Sequence, residues 1–96
     1  MNRQRRKALD ELKKNIEEVI EEASSKLREL QEELSDIRYD EQDYLDNIPE
    51  NLQSSERYIN AENAVDNLEN AESSLEEIID ALDVSEFNGY IEDAIA

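Results

Sequence analysis

Apolar residues recur every three or four positions along the first half of the chain, and no Gly or Pro interrupts residues 2–47. This spacing is typical of a helix that buries one stripe of side chains in a coiled-coil seam. Two consecutive steps of four around Ala23 shift the phase of the repeat, and Ile20 borders the seam there. We expect a helix over residues 2–42, about 60 Å long at 1.5 Å per residue. The seam comprises Leu9, Leu12, Ile16, Val19, Ala23, Leu27, Leu30, Leu34, Ile37 and Tyr44.

A second helical seam follows in the other half of the chain, where LENAESS and LEEIIDA are successive heptads. It predicts a helix over residues 55–87. Asn88 and Gly89 are typical of a kink or a helix end, so residues 90–95 either extend this helix or form a short third one. The seam comprises Tyr58, Ala61, Val65, Leu68, Ala71, Leu75, Ile78, Ile79 and Leu82.

The only proline lies between the two seams, within residues 43–54, and this stretch is expected to form the tip of a hairpin. Asn47 and Glu50 have the spacing of a capping box, which predicts a short helical turn from Pro49 to Leu52. Ser54 or Ser55 would cap the second helix. An apolar and aromatic cluster at the tip would form either a small core or an exposed interface; its members are Tyr39, Tyr44, Leu45, Ile48, Leu52 and Tyr58.

The predicted fold is all-α: a single domain over residues 1–96 that forms a long antiparallel helical hairpin of coiled-coil type. Two arms bury one stripe against each other and would leave flanking residues such as Ile20 and Ile79 facing outward. Because burial stabilises by about 25 cal/mol per Å² of apolar area, covering both flanks requires more helix. A homodimer that forms a four-helix bundle would supply it. The alternative is a monomer in which the C-terminal segment folds back as a third helix.

The composition excludes several classes of function, but no motif in the sequence indicates a particular one. The chain has no His and no Cys, and it has no Gly-rich phosphate loop and no EF-hand spacing. We therefore expect no enzyme activity, no catalytic residues, no cofactor and no metal site. No apolar run approaches a membrane span of about 20 residues, and there is no signal peptide, so a cytoplasmic protein without membrane contact is expected.

Charge is the most informative feature. The chain carries 27 acidic and 10 basic residues, a net charge of −17, and residues 39–96 hold seventeen acids but a single base, Arg57. Acidic residues follow outer stripes of both predicted helices; those of the first are Glu29, Glu33, Asp36, Asp40 and Asp43. The residues predicted to bind a partner are Asp43, Asp46, Glu50, Glu62, Asp66, Glu69, Glu76, Asp80 and Asp83.

Carboxylates one helical turn apart, about 5.4 Å, match the length scale of phosphates along a nucleic-acid strand. The stripes would then occupy the basic surface of a nucleic-acid-binding protein, with no direct contact between this chain and nucleic acid. The alternative is that the acidic faces only keep the helices solvated.

A basic run at the start of the chain, formed by Arg3, Arg5, Arg6 and Lys7, has a structural explanation in an antiparallel hairpin. It would lie beside Glu86, Glu92 and Asp93, so that each cluster neutralises the other. The alternative is a nucleic-acid contact or a partner anchor.

Three segments carry a resemblance to known proteins: Asp46-Asn47-Ile48-Pro49-Glu50-Asn51-Leu52-Gln53, then Ser55-Glu56-Arg57-Tyr58, and Ala61-Glu62-Asn63-Ala64. Together with the basic start NRQRRK they resemble small acidic helical proteins encoded by phages and prophages of Gram-positive bacteria. The resemblance implies a phage origin and a helical fold. It also implies, more loosely, a similarity to acidic anti-CRISPR and anti-restriction proteins, and hence the inhibition of a host defence protein in the host cytoplasm. The other hypothesis is a structural or assembly coiled coil whose role is self-association.

Overall fold

The computed structural model describes all 96 residues and is built from helices. Helix α1 spans Arg3–Asp46, a 3-10 turn covers Glu50–Leu52, helix α2 spans Glu56–Asp80 and helix α3 spans Ser85–Ile95. The molecule is elongated, with Cα extents of 76 × 17 × 12 Å. The predicted all-α hairpin is therefore confirmed.

Helices α2 and α3 together run antiparallel along α1. Residue numbers on α1 fall as those on α2 and α3 rise through four cross-helix contacts, which join Arg38 to Glu72, Arg28 to Glu76, Glu17 to Asn88 and Lys13 to Glu92. Since α3 packs against α1 in line with α2, the C-terminal segment extends the second arm. It does not fold back as a third layer.

The second arm breaks earlier than the sequence pattern indicates. Helix α2 ends at Asp80 and not near residue 87, and Gly89 lies inside α3 without a positive φ angle. After the break, the Asp83 carboxylate accepts hydrogen bonds from the Ser85 backbone N–H at 2.9 Å and from Ser85 Oγ at 2.7 Å. The first of these bonds satisfies the backbone donor of the first residue of α3, whereas the N-cap residue Val84 makes no side-chain cap hydrogen bond. The break precedes the Asn88-Gly89 pair, which lies within α3.

The tip also differs in detail from the prediction. Helix α1 continues to Asp46, four residues past the expected end, and Asn47 caps its C-terminus. The backbone N–H and the side-chain Nδ2 of Asn47 both donate to the Asp43 carbonyl oxygen, so Asn47 does not begin a capping box. Ser55, one of the two predicted caps, accepts a hydrogen bond from the Tyr58 backbone N–H at 3.2 Å.

The buried core is small. Only four residues are buried, namely Ile48, Ala61, Val65 and Ile79, and none of them belongs to α1. At the tip, Ile48 is core and Tyr58 is half-buried, whereas Tyr39, Tyr44 and Leu52 are exposed. The expectation that Ile79 faces outward is wrong, because α2 turns this residue toward α1 and leaves its neighbour Ile78 exposed instead.

Candidate functional site

The hairpin has two broad sides, and apolar residues of α1 line one of them. Each of these residues lies one position before a residue that faces the other arm, as Val19 precedes Ile20 and Ile37 precedes Arg38. They belong to the predicted seam, yet the second arm leaves them uncovered. Leu12, Val19, Leu30, Ile37 and Tyr44 are 49, 64, 54, 57 and 44% exposed.

Helix α2 repeats the same offset, with Ala64 before Val65 and Ile78 before Ile79. Successive helix residues are about 100° apart around the helix axis. Because the arms are antiparallel, this offset places the exposed apolar residues of α1 and those of α2 on the same broad side of the hairpin. The Arg57 guanidinium lies 6.0 Å from the centre of the Tyr44 ring and connects the arms on that side. We call it the apolar face: Leu12, Val19, Leu30, Ile37 and Tyr44 of α1, with Ala64, Ala71 and Ile78 of α2.

The α2 part of the apolar face carries no acid, although the chain has 27 acidic residues. The positions on this side after Arg57 are Asn60, Ala64, Asn67, Ala71, Ser74 and Ile78. On α3, Phe87 and Tyr90 repeat the offset before Asn88 and Ile91, and both are exposed. Charge is thus excluded from one side of the second arm over most of its length.

The opposite side of α2 is acidic. Five of the predicted partner-binding residues follow one another along it: Glu62, Asp66, Glu69, Glu76 and Asp80. We call this set the acidic stripe. The other predicted residues lie elsewhere: Asp43 on the outer surface of α1, Asp46 at the end of α1, Glu50 in the 3-10 turn and Asp83 between α2 and α3. The structure therefore brings part of the predicted site together as one row.

Three of the predicted residues accept hydrogen bonds within the chain, and the donor to Asp46 Oδ1 is Gln42 Nε2 at 2.9 Å. Glu76 Oε2 accepts hydrogen bonds from Gln31 Nε2 and Arg28 Nη1, both at 2.7 Å, and these bonds hold the pKa of Glu76 below its ordinary value. The hydrogen bonds from Ser85 lower the pKa of the Asp83 carboxyl in the same way. Glu76 therefore joins the arms, Asp83 bonds to the first residue of α3, and all three carboxylates are less free to bind a partner.

Tyr58 lies at the tip end of the acidic stripe. Burial is the main cause of its raised pKa, and the carboxylates of Glu62 and Asp46 beside it add to the effect. The phenol of Tyr58 stays protonated and can donate a hydrogen bond to the Glu62 carboxylate, while Asp46 acts on it through its charge. The stripe and the end of α1 thus form one acidic region around Tyr58.

Most carboxylates have no cationic partner. Three of the 27 form ion pairs, namely Glu72 with Arg38, Glu76 with Arg28 and Glu92 with Lys13. Within the acidic stripe, Asp66, Glu69 and Asp80 are exposed and form neither an ion pair nor a side-chain hydrogen bond. Their mutual repulsion would be relieved by the approach of a basic surface.

The basic run does not meet the acids predicted to neutralise it. Glu92 pairs with Lys13 at 3.4 Å, so the carboxylates of α3 lie further along α1. Arg3, Arg5, Arg6 and Lys7 are exposed and form no ion pair. The expectation that the basic run and the carboxylates of α3 neutralise each other is therefore wrong, and the basic run has no ion-pair partner within the chain.

The ion pair of Arg38 with Glu72 is the contact that the sequence pattern misses. Both side chains point into the interface between the arms, where the pattern predicts apolar residues. The available signal was helical spacing, since Arg38 follows Gln31 by seven residues and Leu34 by four.

The structure brings no group of three potential ligands together for a metal ion. None of the helices is both long and apolar enough to cross a membrane.

The chain matches no protein-family model, no curated protein and no solved structure.

Proposed function

We propose that this protein is a non-enzymatic binding protein that inhibits or regulates a basic, nucleic-acid-binding protein through its acidic stripe. The observation that carries the proposal is the row of exposed, unpaired carboxylates on a helix of 25 residues. Asp66, Glu69 and Asp80 are its free members, with Glu62 at the tip end. Tip residues Asp46 and Glu50 extend the charge toward the turn, as does Asp43 on the outside of α1.

The row has a size suited to a nucleic-acid-binding surface. From Glu62 to Asp80 it is about 27 Å long at 1.5 Å per residue. Lysine and arginine side chains that neutralise phosphates supply most of the affinity of such a surface for nucleic acid, and carboxylates compete for the same cations. Since helix α2 is already folded, the carboxylates are held in a row before a partner binds, which lowers the entropic cost of binding.

The biological setting of the proposal comes from the resemblance to phage and prophage proteins. A phage-encoded protein would act in the cytoplasm of its host, and a host defence protein that handles nucleic acid has the basic surface that the acidic stripe would occupy. Neither the host nor the defence system follows from the fold.

Affinity capture from a Gram-positive bacterial lysate tests the proposal. The wild-type chain is immobilised beside a variant with Asp66→Asn, Glu69→Gln and Asp80→Asn. A matched control carries Glu29→Gln, Glu33→Gln and Asp36→Asn, which removes the same number of charges from the outer surface of α1. Glu76 is left intact because it pairs with Arg28.

The expected result is a nucleic-acid-binding protein captured by the wild type and the control but lost with the stripe variant. Circular dichroism must show equal helicity for all three chains. Capture by all three, or by none, would contradict the proposal and leave the acidity as a means of solvation.

A second candidate function is self-association, as in a structural or assembly coiled coil. The apolar face favours it, because large apolar side chains of α1 stay exposed at intervals along one side of the hairpin, with Lys26 and Glu33 between them. Extended apolar patches of this kind mark interaction surfaces in soluble proteins. The two functions use opposite sides of the hairpin, so one molecule can serve both.

A further inference from the structure

We infer that a second copy of this chain covers the apolar face, packed antiparallel so that the α1 helices of the two copies cross beside residue 28. This inference rests on the second candidate function, self-association, and it does not depend on a basic partner. It specifies which surface the copies share, their relative direction and the register between them.

The first step is that the apolar face is large and exposed, so a second surface is needed to cover it. Helix α1 has 44 residues and none of them is buried. The apolar face from Leu12 to Tyr44 is about 48 Å long at 1.5 Å per residue, and the hairpin is 17 Å wide. This side of the hairpin therefore has a projected area of roughly 800 Å², comparable in size to the surface that each partner contributes to a standard stable interface.

The second step is the spacing of four of the five apolar residues on α1, which is symmetric about residue 28, whereas the fifth, Leu30, faces Lys26 of the second copy in this register. Leu12 and Tyr44 each lie 16 residues from it, and Val19 and Ile37 each lie nine residues from it. A twofold axis at this level places Leu12 of one copy opposite Tyr44 of the other, and Val19 opposite Ile37. A twofold interface requires such self-complementarity, because the same patch serves on both copies.

The third step is a fit of shape in that register. A shallow depression lies on α1 between Asn15, Ile16, Val19 and Ile20. The twofold axis brings Ile37 of the second copy over it, as a knob enters a hole between helices. Arg28 pairs with Glu76, so the axis crosses α2 near that level. The axis then places Phe87 of one copy opposite the small residue Ala64 of the other, to within about one helical turn.

The fourth step is charge, which decides the direction. Residues 3–14 carry six bases and two acids, whereas residues 36–62, around the tip, carry eight acids and two bases. A parallel dimer would place the two tips together and oppose these acids to one another. The antiparallel dimer instead places the basic run beside the tip of the second copy, where Glu50 and Asp46 lie. It thus gives Arg3, Arg5, Arg6 and Lys7 the carboxylates they lack within one chain.

Cysteine cross-linking tests the direction and the register, because the chain has no cysteine of its own. The variants Val19→Cys and Ile37→Cys are prepared separately, mixed, and oxidised under mild conditions. The mixture should give a disulfide-linked pair. Each variant alone should give little, since its two cysteines would lie about 27 Å apart along the dimer, and a disulfide needs Cα atoms within about 7 Å. Cross-linking of either variant alone as readily as the mixture would overturn the inference.

Sedimentation equilibrium at moderate salt tests the surface. The wild type should have twice the chain mass of 11.2 kDa, and the variant Val19→Glu with Ile37→Glu should fall to the chain mass. The matched control is Ile59→Glu, since Ile59 is 51% exposed but lies outside the apolar face. A monomeric wild type, or a control that dissociates as the double variant does, would overturn the inference.

The acidic-stripe variant separates the two proposals. With Asp66→Asn, Glu69→Gln and Asp80→Asn the chain should remain a dimer whether or not it captures a basic protein. A dimer without capture would leave this inference standing and contradict the proposed binding function.

Discussion

Arg38 on α1 and Glu72 on α2 form the least exposed ion pair of the hairpin, with Arg38 Nε 2.6 Å from Glu72 Oε1. Their side chains are 18 and 21% exposed. The hydrogen bond to Glu72 is the main cause of the raised pKa of Arg38, whose guanidinium also lies 4.4 Å from the centre of the Tyr39 ring. This pair fixes the register of the two arms at a point where neither helix presents an apolar residue.

Changing one member of this pair should destabilise the hairpin more than changing both. Arg38→Leu or Glu72→Leu alone leaves a charge in the interface without its partner, whereas the double variant leaves two apolar side chains that pack together. We expect each single variant to melt below the wild type and the double variant to melt at or above it. Thermal unfolding followed by circular dichroism measures this, and additive losses in the double variant would contradict it.

The packing of the second arm can be tested with two isoleucines of α2. Ile79 is 4% exposed and faces α1, whereas Ile59 is 51% exposed. Ile79→Ala should lower the free energy of unfolding by about 2 to 5 kcal/mol, and Ile59→Ala should change it by no more than about 0.5 kcal/mol. Both changes alter helix propensity equally, which makes Ile59→Ala the matched control. Urea unfolding of both variants gives the comparison, and equal losses would mean that α2 does not pack through Ile79.

The contact of Glu76 with Arg28 and Gln31 predicts a pH dependence. A carboxyl whose pKa is lower in the folded state stabilises the fold above its unfolded pKa, and this contribution is lost as the pH falls through the folded pKa. Glu76→Gln should therefore melt below the wild type at neutral pH, and the difference should begin to shrink as the pH falls below the ordinary glutamate pKa of about 4.3 and vanish below the lower folded pKa of Glu76.

The control for this experiment is Glu77→Gln, which removes the same charge from an exposed neighbour. It corrects for the repulsion between carboxylates that any neutralisation relieves. A difference between the Glu76 and Glu77 variants that persists unchanged in acid would show that the Glu76 contact is not ionic.

The sequence predicts the helices of this fold well and their rotation about their own axes less well. Apolar spacing alone indicates both arms, because an uninterrupted repeat has one helical interpretation. The same repeat does not reveal which edge of the seam the second arm covers. The structure half-buries Leu9, Ile16 and Leu27 but leaves Val19 and Ile37 exposed, and contacts such as that of Arg38 with Glu72 agree with this rotation.

The sequence indicates where the acidic residues of the candidate site lie, but not which of them are bonded within the chain. Acids at helical spacing fall on one side of α2 whatever the fold around it, so the sequence alone places Asp66 and Glu69 in one row. It cannot show that Glu76 is held by Arg28, a residue 48 positions away, or that Asp83 bonds to Ser85 at the start of α3. The free position of the basic run depends on where α3 meets α1, which no local pattern encodes.

The salt dependence of partner binding tests the central claim most directly. The protein captured by the wild type is titrated with the wild type, with the acidic-stripe variant, and with the control altered on the outer surface of α1. The affinity of the wild type should fall about tenfold or more between about 50 and 200 mM salt, as expected for a row of charges that meets a basic surface. The stripe variant should bind more weakly with a shallower salt dependence, and the control should behave as the wild type does. An affinity that is independent of salt, or equal for the wild type and the stripe variant, would contradict binding through the acidic stripe.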